Sequence, residues 1–200
     1  MKKIMTSLIF TLTSYEVQAA LPDLNSAGNQ NLILPVDTRC ALSSGSNVVE
    51  YTSQSRWQLQ DASTGGNQLT FGKRTLILSV ACPYSQKIRL ALRGDRAADG
   101  NLRFGNQGIM LVRIHDAQLD GQSVQVVSTS SEGTINDSPS DSKLILPGQI
   151  FTPSTNGHSM NGKTFTVRVD VEPLLPEKEA RVSAHQKSEA LMTIDLVNQP

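Results

Sequence analysis

The sequence predicts an antiparallel β-sandwich, and three observations carry that expectation. Apolar and polar residues alternate with a period of two in one segment after another. The 3.6-residue period of an amphipathic helix is nearly absent, and the alternating runs are separated by turns rich in Gly, Ser and Asn. The 200 residues carry 18 basic and 18 acidic side chains, a formal net charge of zero. With the basic residues scattered, the chain lacks the electrostatic footprint of a nucleic-acid or anionic-membrane binder.

The chain opens on a secretory leader, residues 1–19. Lys2 and Lys3 form a positive start, residues 4–12 an apolar run, and residues 14–20 a polar stretch with Val17 and Ala19 at the positions read by signal peptidase. Cleavage is expected after Ala19. The apolar run is shorter than the roughly 20 residues of a spanning helix. The remaining chain of about 180 residues suffices for one domain with its own core, expected over residues 32–200 behind an extension at 20–31.

In that domain Leu32, Leu34 and Val36 alternate on the way to Cys40, and residues 48–51 form a short segment behind it. Trp57-Gln58-Leu59 and Leu69-Thr70-Phe71 read as edge pieces. In residues 74–82, Leu76, Leu78, Val80 and Cys82 share one face, as in a strand with one side in a core. Ile88, Leu90 and Leu92 repeat the pattern, so Cys82-Pro83-Tyr84-Ser85 reads as the turn of an antiparallel pair. Residues 108–114 are a near-continuous apolar run, from which 123–127 returns through Asp120-Gly121. Residues 128–163 turn polar and read as a loop-rich surface insertion with one short strand at Leu144-Ile145-Leu146.

Phe165, Val167, Val169 and Val171 make the cleanest alternation, which Pro173 and Pro176 are expected to stop. Residues 176–189 offer a helical turn or two, with Glu177, Lys178 and Arg181 as a solvated face. Residues 190–196 form the last strand, with Met192, Ile194 and Leu196 on one side. The expected core is Leu76, Leu78, Val80, Phe165, Val167 and Val169.

Cys40 and Cys82 are the two cysteines, and in an oxidising compartment they have a single possible pairing. Closing a loop of about 43 residues stabilises by roughly 4 kcal/mol in the chain-entropy model. An immunoglobulin-like arrangement is the expected version of the sandwich. The order Cys40, Trp57, Cys82 is reminiscent of antibody domains, but the cysteines are too close for a bridge between second and sixth strands, and Val80 stands where a corner tyrosine belongs.

Catalytic signatures are weak, and neither an enzyme nor a cofactor is expected. His115, His158 and His185 have no metal-binding spacing, and no serine sits in a nucleophile elbow. His115-Asp116 reads as an edge pair rather than half of an acid–base site. Asp95, Asp99 and Gly100 resemble part of a calcium loop, but Ala97 and Asn106 occupy ligand positions. Arg93-Gly94-Asp95 spells an integrin-ligand tripeptide in an expected loop, where a plain turn is the favoured reading. Trp57 and the tyrosines are candidates for sugar stacking, though core or edge filling is the simpler role.

A cysteine opening the first strand, V-V-E-Y at 48–51 and T-L-I-L-S-V-A-C at 75–82 together resemble the pilin domains of chaperone-usher fimbriae. So do G-N-Q-G-I-M-L-V-R-I-H-D-A at 105–117, with Asp120-Gly121 behind it, and A-L-M-T-I-D-L at 190–196. The resemblance implies a six-stranded immunoglobulin-like fold lacking its seventh strand, with Cys40 and Cys82 bridging the first two. It implies a hydrophobic groove floored by Met192, Ile194 and Leu196 on the last strand, filled by a strand from a periplasmic chaperone and later from another subunit. The implied partners are that chaperone, an outer-membrane usher, other fimbrial subunits and a host receptor.

Leu196 stands where members carry a penultimate tyrosine, and the extension, with Leu21, Leu24 and Ala27 out of register, makes a poor donor strand. With the insertion at 128–163, these departures point to a minor, tip or specialised subunit. The functional expectation is therefore a structural or adhesive fimbrial subunit, exported through the periplasm to the cell surface. The competing expectation is a self-contained periplasmic or secreted β-sandwich that binds a ligand and never polymerises.

Overall fold

The computed structural model describes residues 39–46, 48–52, 54–62, 67–181 and 188–197. All belong to one unit, Asp37–Pro200. The leader, the extension and the alternating segment at 32–36 lie outside the described residues.

Two antiparallel sheets face each other. The first contains β1 (Ala41–Ser44), β2 (Gln60–Asp61), β3 (Gln68–Thr70), β4 (Arg74–Lys87), β6 (Leu102–Phe104), β7 (Gly108–Leu119), β8 (Gln122–Ser123), β10 (Ser142–Leu144) and β13 (Asn161–Pro176). The second contains β5 (Leu90–Gly94), β9 (Gln125–Thr129), β11 (Ile150–Thr155), β12 (His158–Ser159) and β14 (Met192–Leu196). Two short 3-10 helices, Arg56–Gln58 and Glu177–Ala180, sit outside the sheets.

The alternation at 165–171 builds the centre. β13 pairs with β4 on one side and β7 on the other, with Phe165 opposite Val80, Val167 opposite Leu78 and Val169 opposite Leu76. Phe165, Val167, Val169, Leu78 and Val80 are buried, while Leu76 is half-buried against the same cluster. Leu90, Leu92 and Phe151 meet them from the second sheet. One sheet face supplies every second side chain, so the period of two in the sequence becomes the interior of a sandwich.

Cys40 and Cys82 are bonded, with Cα atoms 4.2 Å apart. Ala41 stands opposite Ala81, so the next pair along the ladder is the disulfide itself. The bridge thus joins β1 to β4.

Several expectations need correction. Cys82-Pro83-Tyr84-Ser85 is not a turn, because β4 runs straight through it to Lys87 and β5 belongs to the other sheet. The ladder shifts register there, from Thr164 opposite Ala81 to Gly162 opposite Gln86, and Pro83 falls in the irregular stretch where its missing N–H breaks no regular pairing. Pro173 likewise does not stop β13. It stands level with the gap between β3 and β4, where that edge has no ladder partner.

The stretch at 128–163 is not a surface insertion. It carries β10, β11 and β12, and β11 lies inside the second sheet between β9 and β5. Its polar composition conceals a buried strand, in which Thr152 and Ser154 are both fully buried. Thr152, fully buried, donates to the Ile88 carbonyl at 2.8 Å. Thr152→Val is expected to lower stability by about 1 kcal/mol, read from the denaturant midpoint, because the Ile88 carbonyl loses that donor.

The return through Asp120-Gly121 is a tight hairpin with positive φ at both residues, but it pairs only β7 with β8 before the chain crosses to β9 in the other sheet. The segment at 48–51 has no strand partner among the described residues. Within 176–189, the described helical turn is Glu177–Ala180.

On the outer face of the first sheet, three strands are tied through one carboxylate. Asp170 of β13 is buried and accepts from Thr75 (2.6 Å) and from Lys73 (2.9 Å), and it lies 3.2 Å from His115. Burial alone would raise its pKa, but the hydrogen bonds from Thr75, Lys73 and His115 outweigh that and hold it below the usual carboxylate range. A carboxylate depressed in the folded state contributes stability above its unfolded pKa and loses it as pH falls through the folded one. Acid unfolding is therefore expected to steepen below about pH 4, and Asp170→Asn to flatten that limb. An identical acid limb in the variant, measured by fluorescence or circular dichroism, counts against this role.

Candidate functional site

An apolar groove opens between β1 and β14. Its walls are the outer edges of these two strands, and its floor is made by Leu76 and Leu78 of β4, Val169 and Val171 of β13, Phe104 of β6 and Met110 of β7. Its volume is about 2080 Å³, well above the roughly 300–1,000 Å³ of small-molecule sites. That size suits a stretch of polypeptide.

The walls present backbone as well as side chains. Leu92 of β5 uses its own N–H and carbonyl on the β11 side, toward Gln149 (3.1 Å) and Gly148 (2.6 Å). Ile194 stands opposite Leu92, so its N–H and C=O point away from β5, as do those of Met192 and Leu196. Thr193 and Asp195 face β5 instead. Across the groove, Gly45 donates to the Ile77 carbonyl at 3.0 Å, which turns Ser43 and Ala41 toward β4 and Leu42 outward. Among the described residues no strand pairs with the outer edge of either wall. Unpaired edges of this kind are templates for a further strand.

A run of aromatic rings extends the floor. Tyr51 packs against Phe71 with centroids 6.1 Å apart, and Phe71 against Phe104 at 5.8 Å. The Tyr51 hydroxyl donates to the Val171 carbonyl at 3.0 Å. Burial pushes its pKa up to about 12, with Arg74 opposing and Glu172 adding to the shift. It therefore stays a neutral donor, and all four residues of the V-V-E-Y stretch line the groove without forming a strand.

The mouth of the groove is the part that the sequence pattern does not reveal. Trp57 is 87 % exposed and Leu191 85 % exposed, and both line it. Arg56 lies over the Trp57 ring at 5.2 Å and pairs with Glu177, which also accepts from Arg181 at 2.9 Å. These hydrogen bonds, from Arg181 first and Arg56 second, lower the Glu177 pKa. Core or edge filling, the simpler role expected of Trp57, is not what it does. Nothing in the local pattern distinguishes an exposed indole from a buried one.

Of the residues singled out on the last strand, Met192 and Ile194 line the groove. Leu196 packs against the core beyond the lined stretch. Leu76, Leu78 and Val169 serve both core and floor, whereas Val80, Phe165 and Val167 lie deeper in the sandwich.

The other candidates lie elsewhere. His115 is held between Asp116 and Asp170, each at 3.2 Å, on the outer face of the first sheet. Asp99 caps its own turn through Asn101 at 3.0 Å. Among the described residues no three His, Cys, Asp or Glu side chains are grouped to hold a metal ion. Arg93-Gly94-Asp95 is not a free loop. Arg93 and Gly94 end β5, and Arg93 pairs with Asp195 of β14 at 2.7 Å.

No family model matches the chain, and no curated protein matches it. Among solved structures it is similar to the crystal structure of the P pilus rod subunit PapA, at 14% identity over 80% of this chain and 99% of that one, with a TM-score of 0.34. That is a weak, fold-level resemblance.

Proposed function

We propose that the chain is a structural or adhesive subunit of a chaperone-usher fimbria, assembled when a strand from another protein enters the groove between β1 and β14. One observation carries this reading: a polypeptide-sized apolar groove with two wall strands whose outer edges have no strand partner among the described residues. Such a groove is costly to leave open in water, because its strand edges and the partly exposed side chains of Leu76, Met192 and Ile194 face it. An added strand covers both. The first occupant is a strand of a periplasmic chaperone, and the lasting one is a strand of a neighbouring subunit delivered at an outer-membrane usher. The protein is then exported through the periplasm, acts at the cell surface as part of a fimbrium, and performs no catalysis.

The test is expression in the periplasm with and without a fimbrial chaperone. Recovery of soluble protein only as a one-to-one complex is the expected result. A stable monomer that unfolds reversibly on its own overturns the proposal in favour of a self-contained ligand-binding sandwich.

A further inference from the structure

Arg93-Gly94-Asp95 resembles a recognition motif, yet each of its residues is engaged within the fold. The Arg93 guanidinium meets the Asp195 carboxylate of β14 at 2.7 Å. The Asp95 carbonyl accepts from the Arg103 N–H of β6 at 2.8 Å. A Cβ on Gly94 would lie 2.8 Å from the Leu191 carbonyl oxygen and would collide with the Leu102 side chain. Leu102 is 1% exposed, and the Leu191 atom in the way is backbone, which cannot turn aside as a side chain can.

A second glycine completes the arrangement. Gly105, between β6 and β7, donates its N–H to the Glu189 carbonyl at 2.8 Å. Its φ is +59°, and a Cβ there would come within 3.0 Å of the Ser188 Cβ and 3.4 Å of its Cα. Residues 188–192 therefore lie against two glycines at which a side chain would crowd them. Gly94 meets β14 at its first residue, Met192, and Gly105 meets the segment just before it.

We infer that Gly94 and Gly105 are positioning residues that seat β14 on β5 and so set one wall of the groove. The tripeptide at 93–95 holds this wall strand and is not an adhesion motif. The inference deepens the strand-accepting reading in that it assigns the device that sets one wall, although the seating itself does not depend on what fills the groove. A β14 displaced at its start would lose the ladder between Thr193 and Arg93 and would carry Met192 and Ile194 out of line with the floor.

Hydrogen exchange followed residue by residue tests this on the soluble form that the periplasm yields, chaperone complex or monomer, with the same form used throughout, comparing wild type, Gly94→Ala and Gly72→Ala. Gly72 also has positive φ, at +92°, but open space around it, so its alanine adds backbone strain without crowding. The expected result is a loss of protection of at least ten-fold at Thr193 and Asp195 in Gly94→Ala, with the β13 amides unchanged, and neither effect in Gly72→Ala. Unchanged protection of β14 in Gly94→Ala overturns the inference. So does an equal loss across β13 and β14, which would mark a general structural role. If Gly94→Ala does not fold, Gly105→Ala is read at the same amides against the same two outcomes. Failure of the wild-type chain to take up a chaperone would sink the fimbrial reading and leave these exchange results standing.

Discussion

Ile194→Lys is expected to abolish chaperone capture. Ile194 lies mid-way along β14, half-buried, with its side chain in the groove and its backbone groups turned to the open edge. A strand laid against that edge would cover the new ammonium with apolar floor and no partner, which costs several kcal/mol for a buried charge. Even about 3 kcal/mol weakens capture by more than 100-fold. Thr193→Lys is the control, since Thr193 is exposed on the opposite face of the same strand. Its capture is expected to remain within about two-fold of wild type. The measurement is co-purification with the chaperone followed by an equilibrium titration, and wild-type capture by Ile194→Lys removes β14 from the binding site.

Loss of the disulfide is expected to have the next largest effect. Cys40–Cys82 closes a 42-residue separation and fastens β1, the second wall of the groove, to β4. Replacing both cysteines by serine is expected to cost about 4 kcal/mol of stability by the loop-entropy relation. β1 pairs with β4 over only four residues, so it is the element that frays first. Lower periplasmic yield and a lower denaturant midpoint are the expected observations. Two reactive thiols in the native wild-type protein, or an unchanged midpoint in the double variant, would refute the role.

Both predictions rest on residues that the sequence alone makes legible. The alternation through Leu76, Leu78 and Val80 and through Phe165, Val167 and Val169 marks the inward faces of β4 and β13, because a strand places every second side chain on one side. Cys40 and Cys82 are equally plain, since two cysteines have one pairing. Met192 and Ile194 are marked by the same period. Polarity and proline mislead when each is read only from its immediate neighbours. β11 is hidden by its hydroxyl side chains, of which Thr152 is buried with its donor on the Ile88 carbonyl. Pro83 and Pro173 lie inside strands at points where the ladder is irregular or has no neighbour, and that depends on the strand alongside.

The groove follows the same division. Its apolar floor is written in short-range periodicity, which a linear pattern records well. Its mouth, with Trp57 and Leu191 exposed, depends on where residues far apart in the chain come to lie. Arg93-Gly94-Asp95 shows the contrast most sharply: as a string it matches a ligand, and in the fold it holds β14. By itself, then, the sequence determined the fold class, the inward faces and the disulfide, because these follow from side-chain alternation and from pairing by exclusion. Only the tertiary structure decided which strands share a sheet, which edges stay open and what the glycine at 94 makes room for. Those are set by contacts between segments whose separation along the chain says nothing about their distance in space.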